Sequence, residues 1–128
     1  SFNELRKEAL ATTRRNMLNP SKRAKAPYVT EMLAKQKGPV VSATDHMKAH
    51  SDQVREFVPD TYRVLGTDGF GRSDSREQLR HFFEVDCKFI VLAALTELKE
   101  LGVVTAKQIT EHMKSSGIDQ DKPNPLAQ

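Results

Sequence analysis

Two short apolar segments separated by a helical pattern limit this chain most strongly to one fold class. Val40–Ala43 and Tyr62–Leu65 have strand length, and the first contains only small or apolar residues, as in a strand buried on both faces. Thr44 or Asp45 is placed to cap the intervening helix, which ends at Pro59. Its expected inward-facing residues are Met47, Val54, Phe57 and Val58. A strand–helix–strand unit predicts parallel strands with a right-handed crossover, and therefore the α/β class.

Helical patterns cover the amino-terminal part of the chain. Ser1 and Glu4 have capping-box spacing, which predicts a helix over Phe2–Leu18. Pro27 suits the first position of a second helix over residues 28–37, which Gly38 ends. The apolar stripe expected on this second helix is formed by Tyr28, Met32 and Gln36, flanked by Val29 and Leu33.

Three further helices are predicted after the second strand. The first spans residues 75–83. The second is capped by Asp86 and ends at Gly102. Because the first two turns of this capped helix are apolar nearly all round, we expect it to be covered on most sides. Thr105 and Gln108 have capping-box spacing for the last helix, which ends at Gly117. The polar, proline-containing tail, residues 119–128, is expected on the surface.

The most informative motif is a glycine-rich run that follows the second strand. Residues 64–77 (VLGTDGFGRSDSRE) read as a strand end, a glycine-rich turn and a helix start, and residues 78–86 (QLRHFFEVD) continue it. Residues 16–20 (NMLNP), 39–45 (PVVSATD) and 121–125 (DKPNP) accompany it in order. With these motifs the chain, over essentially all of its 128 residues, resembles the last part of a thiamine-diphosphate-dependent family. That family is the single-chain, homodimeric first component of bacterial pyruvate dehydrogenase complexes.

The resemblance implies a transketolase-like carboxy-terminal domain, a three-layer α/β/α sandwich with a mostly parallel five-stranded sheet. Two strands are few for an α/β sheet, which usually has about four to six. We therefore expect a domain over residues 1–128 that is truncated on its amino-terminal side and lacks one or two preceding strands. His46 and His50 depart from the family pattern, where aromatic or apolar residues are expected, and Cys87 departs more mildly.

The resemblance also implies what the parent enzyme does. It would decarboxylate pyruvate with thiamine diphosphate and Mg²⁺, then reductively acetylate the lipoyl group of the dihydrolipoyl acetyltransferase component. In the family, the two preceding domains hold cofactor and substrate across a homodimer interface. The domain formed by this chain would support the dimer, with no catalytic, cofactor-binding or metal-binding residue of its own. A single cysteine and no signal-peptide pattern fit a cytoplasmic protein.

The glycine-rich loop (residues 66–71) can be interpreted in two ways. A loop between a strand and a helix often binds phosphate, and Arg72 could serve an anion. Its spacing matches neither the dinucleotide nor the nucleoside-triphosphate fingerprint, so we favour a structural turn with interdomain or dimer contacts. Asp68 and Gly69 resemble part of the diphosphate motif of thiamine enzymes, but the paired asparagine about thirty residues later is missing. The thiamine motif is therefore not expected here.

Other reactive side chains are expected to be structural or incidental. His46 and His50 have the i, i+4 spacing of a zinc-binding helix, yet no third ligand is evident, which favours an incidental surface pair. Cys87 follows a helix cap, which would activate an exposed thiol, but apolar neighbours favour burial. The residues Ser73, Ser75 and His81 lie too close together along one helix start to indicate a catalytic triad.

Positive charge is concentrated at the amino-terminal end. Residues 1–37 hold nine Lys/Arg against three Asp/Glu, whereas the remainder holds eleven against fourteen. Lys22, Arg23 and Lys25 form the densest basic cluster, which could contact phosphate, but no aromatic residues or zinc spacing accompany it. A nucleic-acid-binding module using residues 1–37 and a free-standing protein-interaction adaptor remain the alternatives. We favour a solvated loop and no nucleic-acid or membrane partner.

Overall fold

The computed structural model describes residues 1–127 as helices packed around a small sheet. Six α-helices and two strands follow one another along the chain. They are α1 (Phe2–Leu18), α2 (Tyr28–Ala34), β1 (Val40–Ala43), α3 (Lys48–Asp52), β2 (Tyr62–Leu65), α4 (Arg76–Phe82), α5 (Cys87–Glu100) and α6 (Ala106–Ser116). Short 3-10 helices occupy Arg55–Phe57 and Pro125–Ala127. Of the predicted tail, Gln128 lies outside the described residues.

The two strands pair in parallel, as predicted, with Val40 opposite Tyr62 and Ala43 opposite Leu65. Side chains of β2 alternate between two helical layers because successive residues of a strand point to opposite faces. Tyr62 and Val64 are buried against Val54, and Phe2 and Leu5 of α1 pack on the same cluster. On the opposite face, Arg63 reaches Glu97 of α5. The described residues thus form a helix–sheet–helix arrangement, which confirms the α/β class.

The first layer consists of α1, α2 and the segment around α3. Ser1 caps α1 by accepting the N–H of Glu4, as predicted. Ala9 of α1, Val29 of α2 and Phe57 are buried together. The predicted stripe of α2 is wrong, because Tyr28 and Met32 are exposed and their neighbour Val29 is buried. The helix also ends at Ala34, three residues before the predicted end.

The region between the strands is less regular than predicted. Thr44 accepts the N–H of His46 in a turn and does not cap a helix, and α3 begins only at Lys48. Met47 is consequently 61% exposed, which contradicts its predicted burial. The prediction holds at the other end of this segment, where Val54 and Phe57 are buried.

The second layer is α5 with α6 packed on it. Asp86 caps α5 and Thr105 with Gln108 forms a capping box for α6, both as predicted. The expected covering of α5 on most sides is wrong, since Phe89 and Ala93 are buried but Val91 is 44% exposed. The strand β1 likewise is only half-buried or exposed along its length and not buried on both faces. Both elements therefore have uncovered apolar surface.

Helices α4, α5 and α6 end in the same way, but one of them uses an unfavourable residue. Each is followed by a residue in the left-handed region, Glu84 (φ 61°), Gly102 (φ 75°) and Gly117 (φ 70°). Only glycine adopts this conformation without steric cost. The Glu84 carboxylate accepts from Lys122 Nζ at 3.2 Å, and the same ammonium donates to the carbonyl of Phe82 at 2.9 Å. These contacts hold the tail against the end of α4.

Candidate functional site

The glycine loop (residues 66–71) is held in place by the turn that precedes α3. A side chain on Gly66 would come within 2.7 Å of the backbone nitrogen of Lys48 and 2.8 Å of the carbonyl oxygen of His46. The N–H of Thr67 donates to that carbonyl at 2.9 Å, and the Thr67 hydroxyl donates to the carbonyl of Asp45, also at 2.9 Å. Glycine is required at position 66 because two backbone segments meet there.

Asp68 and Gly69 have structural contacts of their own. The Asp68 carboxylate accepts the N–H of Lys48 at 2.8 Å and so caps α3 from a distant part of the chain. Gly69 has φ 111°, and a side chain there would lie 3.0 Å from the carbonyl oxygen of Pro125. A magnesium–diphosphate group does not fit this arrangement, since the carboxylate is engaged by a backbone N–H and no paired asparagine is present. The contacts support the interpretation of the loop as a structural turn.

An open groove lies beside the loop, where both strands end. One part, of about 690 Å³, is lined by Thr44, Arg76, Arg80 and Cys87 among others. An adjoining part, of about 510 Å³, includes Phe70 of the glycine loop. Arg80 and Asp45 line both parts and lie 3.5 Å apart as an exposed ion pair. The groove combines both signs of charge with apolar walls.

The candidate nucleophiles near this groove have other partners. Ser75 caps α4 by accepting the N–H of Gln78. His81 Nδ1 lies 3.4 Å from the carboxylate of Asp86, and its ring packs near Phe89. Arg72, the candidate anion ligand, stacks over the ring of Phe82 at 4.0 Å. Each of these contacts ties a loop or helix end to its neighbour, and none assembles a nucleophile with a base.

Cys87 contradicts its predicted burial. It is the first residue of α5 and its side chain is exposed, facing the groove that also contains Arg76 and Arg80. Of the apolar neighbours that favoured burial, Val85 is buried and lines the same groove, whereas Phe89 lies two residues further along the helix and packs inward. Helical geometry separates residues i and i+2 by about 200°, which explains the error.

His46 and His50 are brought together, although only His50 belongs to α3. Their ring centroids are 4.8 Å apart, and the ring of His50 also meets that of Phe2 edge-on at 5.5 Å. Throughout residues 1–127, no cluster of three or more His, Cys, Asp or Glu side chains could hold a metal ion. Among these residues, the pair therefore has no third His, Cys, Asp or Glu side chain placed to complete a metal centre with it.

The basic cluster lies on an exposed loop that α1 holds in shape. Asn16 of α1 donates to the carbonyl of Lys25 at 2.7 Å and accepts the N–H of the same residue at 3.0 Å. Arg15 donates to the carbonyl of Arg23 at 3.3 Å. The loop is ordered by its backbone, which leaves the charged side chains of Lys22, Arg23 and Lys25 in solvent. Within residues 1–127, no helix has the length and apolarity needed to cross a membrane.

Comparison with known proteins assigns this arrangement to a family. The protein-family model described as "Transketolase-like TK C-terminal domain" matches residues 1–86, which is about two thirds of the chain. The chain belongs to this family. The resemblance predicted from the motifs is therefore confirmed.

Curated relatives extend the match to nearly the whole chain. It is 51% identical to the "Pyruvate dehydrogenase E1 component" of Pseudomonas aeruginosa over 98% of its length. The proteins of the same name from Escherichia coli K12 and Cupriavidus necator are 48% and 45% identical over 98% and 99% of the chain. The chain spans only 14% of the length of each of these relatives. It corresponds to their carboxy-terminal region.

Several structural residues gave no recognisable signal in the sequence. Glu97 is buried on an apolar helix and pairs with Arg63 at 2.5 Å, and Arg55 donates to the carbonyl of Tyr62. The hydroxyl of Ser51 is fully buried and has no hydrogen-bond partner among the described residues. Glu97 lies between Thr96 and Leu98, just after the apolar run of α5, so no sequence pattern marked its burial or its partner.

Proposed function

We propose that this chain is the structural carboxy-terminal domain of a pyruvate dehydrogenase. The parent enzyme decarboxylates pyruvate and reductively acetylates the lipoyl group of the dihydrolipoyl acetyltransferase component. The observation that carries this proposal is 45–51% identity, over nearly the whole chain, to proteins named pyruvate dehydrogenase E1 component. Such identity covers the first layer, the sheet and the second layer alike.

In this proposal, thiamine diphosphate and Mg²⁺ are bound by parts of the parent enzyme outside these 128 residues. The side chains most suggestive of a diphosphate site support this assignment through their contacts. Asp68 caps α3, and Gly66 and Gly69 allow backbone segments to approach each other closely. We assign no catalytic, cofactor-binding or metal role in pyruvate oxidation to this domain.

The domain contributes a sheet that the parent chain extends along β1. Val40 and Thr44 donate their N–H groups to β2, at Thr61 and Leu65, so the N–H groups of Val41 and Ala43 point to the other edge. An apolar groove of about 390 Å³ contacts Val40, Val41 and Ser42 in succession. The groove also contacts Tyr62 of β2, so it begins on the face of the sheet toward α1 and α2, and its contact with Val41 brings it to the outer edge of β1. This edge suits a further strand from the preceding part of the parent.

The homodimer and the contact with the acetyltransferase component are proposed on the same basis. The glycine loop carries Phe70, which is 80% exposed and follows Gly69, whose backbone closely approaches Pro125. An exposed aromatic residue is typical of an interface anchor, which fits interdomain or dimer contacts. A cytoplasmic location would place the domain with the other components of the complex.

Titration of the isolated chain with thiamine diphosphate and Mg²⁺ tests the proposal. Isothermal titration calorimetry should detect no stoichiometric binding, and the chain should release no carbon dioxide from pyruvate. The longer polypeptide that contains this sequence serves as the positive control and should do both. Stoichiometric cofactor binding by the isolated chain, or a longer polypeptide without pyruvate decarboxylation, would contradict the proposal.

A further inference from the structure

The imidazole rings of His46 and His50 lie next to each other at the surface with a defined separation. Their centroids lie 4.8 Å apart and the ring planes are inclined by 51°. The backbone of His46 is fixed on both sides, because its N–H donates to Thr44 at 3.1 Å and its carbonyl accepts from Thr67 at 2.9 Å. His50 is held within α3, with its ring against Phe2. The two rings are therefore positioned in advance.

The separation agrees with the geometry of two imidazoles on one metal ion. A zinc–nitrogen bond of about 2.0–2.1 Å places the centre of an imidazole ring roughly 3.2 Å from the metal. Two such rings that subtend 90–110° at the metal have centroids roughly 4.5–5.2 Å apart. The observed 4.8 Å lies within this range.

The ring nitrogens are also available for binding. In residues 1–127 neither ring makes a hydrogen bond to another protein group, whereas His81 lies 3.4 Å from Asp86 and His112 lies 3.1 Å from the carbonyl of Lys88. His46 is exposed and His50 half-buried, so an ion can approach from solvent.

We propose that His46 and His50 together chelate a divalent transition-metal ion of the zinc, nickel or copper class. Imidazole nitrogen is a preferred ligand for these ions, and water completes the coordination sphere. The spacing alone favoured an incidental pair because no third ligand was evident, and the ring geometry is the observation that supports a two-histidine site. The site is independent of the proposed pyruvate dehydrogenase role.

Calorimetric titration with Zn²⁺ at neutral pH tests this site. Because the exposed thiol of Cys87 could also bind zinc, the measurement is made in a Cys87→Ser background. We expect one ion per chain. His46→Gln or His50→Gln should weaken binding by ~10-fold or more, because loss of a residue that only supports a metal ligand already weakens binding by roughly 10-fold. The matched controls His81→Gln and His112→Gln should bind as the background does.

Titration with Cu²⁺ gives a readout that general misfolding would not reproduce. Electron paramagnetic resonance should show coupling to two ring nitrogens in the background protein, and to one in His46→Gln, whose substitution lies outside α3 and is expected to leave the fold intact. Binding should be lost at acid pH because protonated imidazole is not a ligand. The proposal is overturned if the background protein does not bind zinc, or if the double variant His46→Gln/His50→Gln binds it equally well.

Discussion

The two edges of the sheet differ in a way that explains much of the molecule. At the outer edge of β2, the carbonyl of Tyr62 points away from β1 and accepts a hydrogen bond from Arg55. The guanidinium of Arg55 also lies 5.2 Å from the centroid of the Tyr62 ring. Arg63 of the same strand pairs with the buried Glu97. At the outer edge of β1, an apolar groove lies between the strand and helices α1 and α2. One edge is closed by charge, and the other is open and apolar.

The difference supports the proposal that the sheet of the parent protein continues beyond β1. Proteins protect free strand edges with charged side chains, because an exposed apolar edge invites pairing with another strand. Arg55 and Arg63 act in this way for β2, whereas β1 has no such protection among the residues that line its groove. A sheet protected on one side only is expected of a domain that continues beyond β1. Four substitutions test this contrast.

The largest effect is expected from Arg63→Ala. Removing the arginine leaves the carboxylate of Glu97, whose side chain is only 11% exposed, without its cationic partner. Loss of one partner of a fully buried pair costs ~3–5 kcal/mol, and the half-exposed arginine reduces the expected loss here to about 2 kcal/mol. Urea denaturation followed by circular dichroism measures it. Arg63→Ala/Glu97→Gln should recover part of the loss, and a double variant no more stable than the single one would argue against the pair.

Tyr62→Phe should lower stability by about 1–2 kcal/mol near neutral pH. The Tyr62 hydroxyl donates to the carbonyl of Ser51 at 2.9 Å in a buried site, and the variant leaves that carbonyl unpaired. Ser51→Ala is the control, because it removes a buried hydroxyl without a partner among the described residues and should cost less.

The same tyrosine predicts a pH dependence. Burial raises the pKa of Tyr62 above its ordinary value of 10.0, so the folded state favours the protonated phenol. This contribution is fully present below the unfolded pKa of about 10 and is lost as the pH rises through the higher folded pKa. The stability advantage of the wild type over Tyr62→Phe should therefore shrink above about pH 10. An unchanged difference at alkaline pH would show that the phenol is not protected by burial.

Arg55→Ala should cost about 1 kcal/mol, since it removes the hydrogen bond to the Tyr62 carbonyl. It also uncovers the edge of β2 and should promote concentration-dependent self-association, which sedimentation velocity detects. Asp52→Ala provides the comparison, because it removes only the half-exposed ion pair with Arg55 and should cost less than about 0.5 kcal/mol. Equal stability and equal self-association of the two variants would show that Arg55 does not protect the edge of β2.

The smallest effect in the isolated chain is expected from Met32→Lys, at the rim of the β1 groove. Met32 is exposed, so the free energy of unfolding should change by less than about 0.5 kcal/mol. In the longer polypeptide the same lysine would lie against the added strand and should be clearly destabilising. Met17→Lys, at the far end of α1, is the matched exposed control and should have little effect in both. Equal effects of Met32→Lys in the two contexts would mean that nothing covers the groove.

The successes and errors of the sequence predictions follow from the range of the interactions involved. Caps at Ser1, Asp86 and Thr105 depend on residues three positions away, and all were predictable. The cap of α3 comes from Asp68, twenty residues later, so no local pattern marked its true start at Lys48. Exposure of Cys87 depends on which helix face the rest of the fold covers, which the apolar neighbours alone did not define.

The role of the glycine loop could be predicted only in part. Its motif identified the family and favoured a structural turn, because the spacing matched neither nucleotide fingerprint. The partners that require glycine, His46 and Lys48 at Gly66 and Pro125 at Gly69, lie far away in sequence. The charged closure of β2 was missed for the same reason, since Arg63 and Glu97 are 34 residues apart.

Hydrogen–deuterium exchange at the edge of β1 tests the central claim most directly. The amide hydrogens of Val41 and Ala43 are compared between this chain and the longer polypeptide that includes the preceding segment. If a further strand pairs with β1, these amides exchange slowly in the longer polypeptide and quickly in the isolated chain, while Tyr62 and Val64 at the protected edge change little. Equal exchange of Val41 and Ala43 in both would contradict the account, because β1 would then be a true edge of the finished sheet.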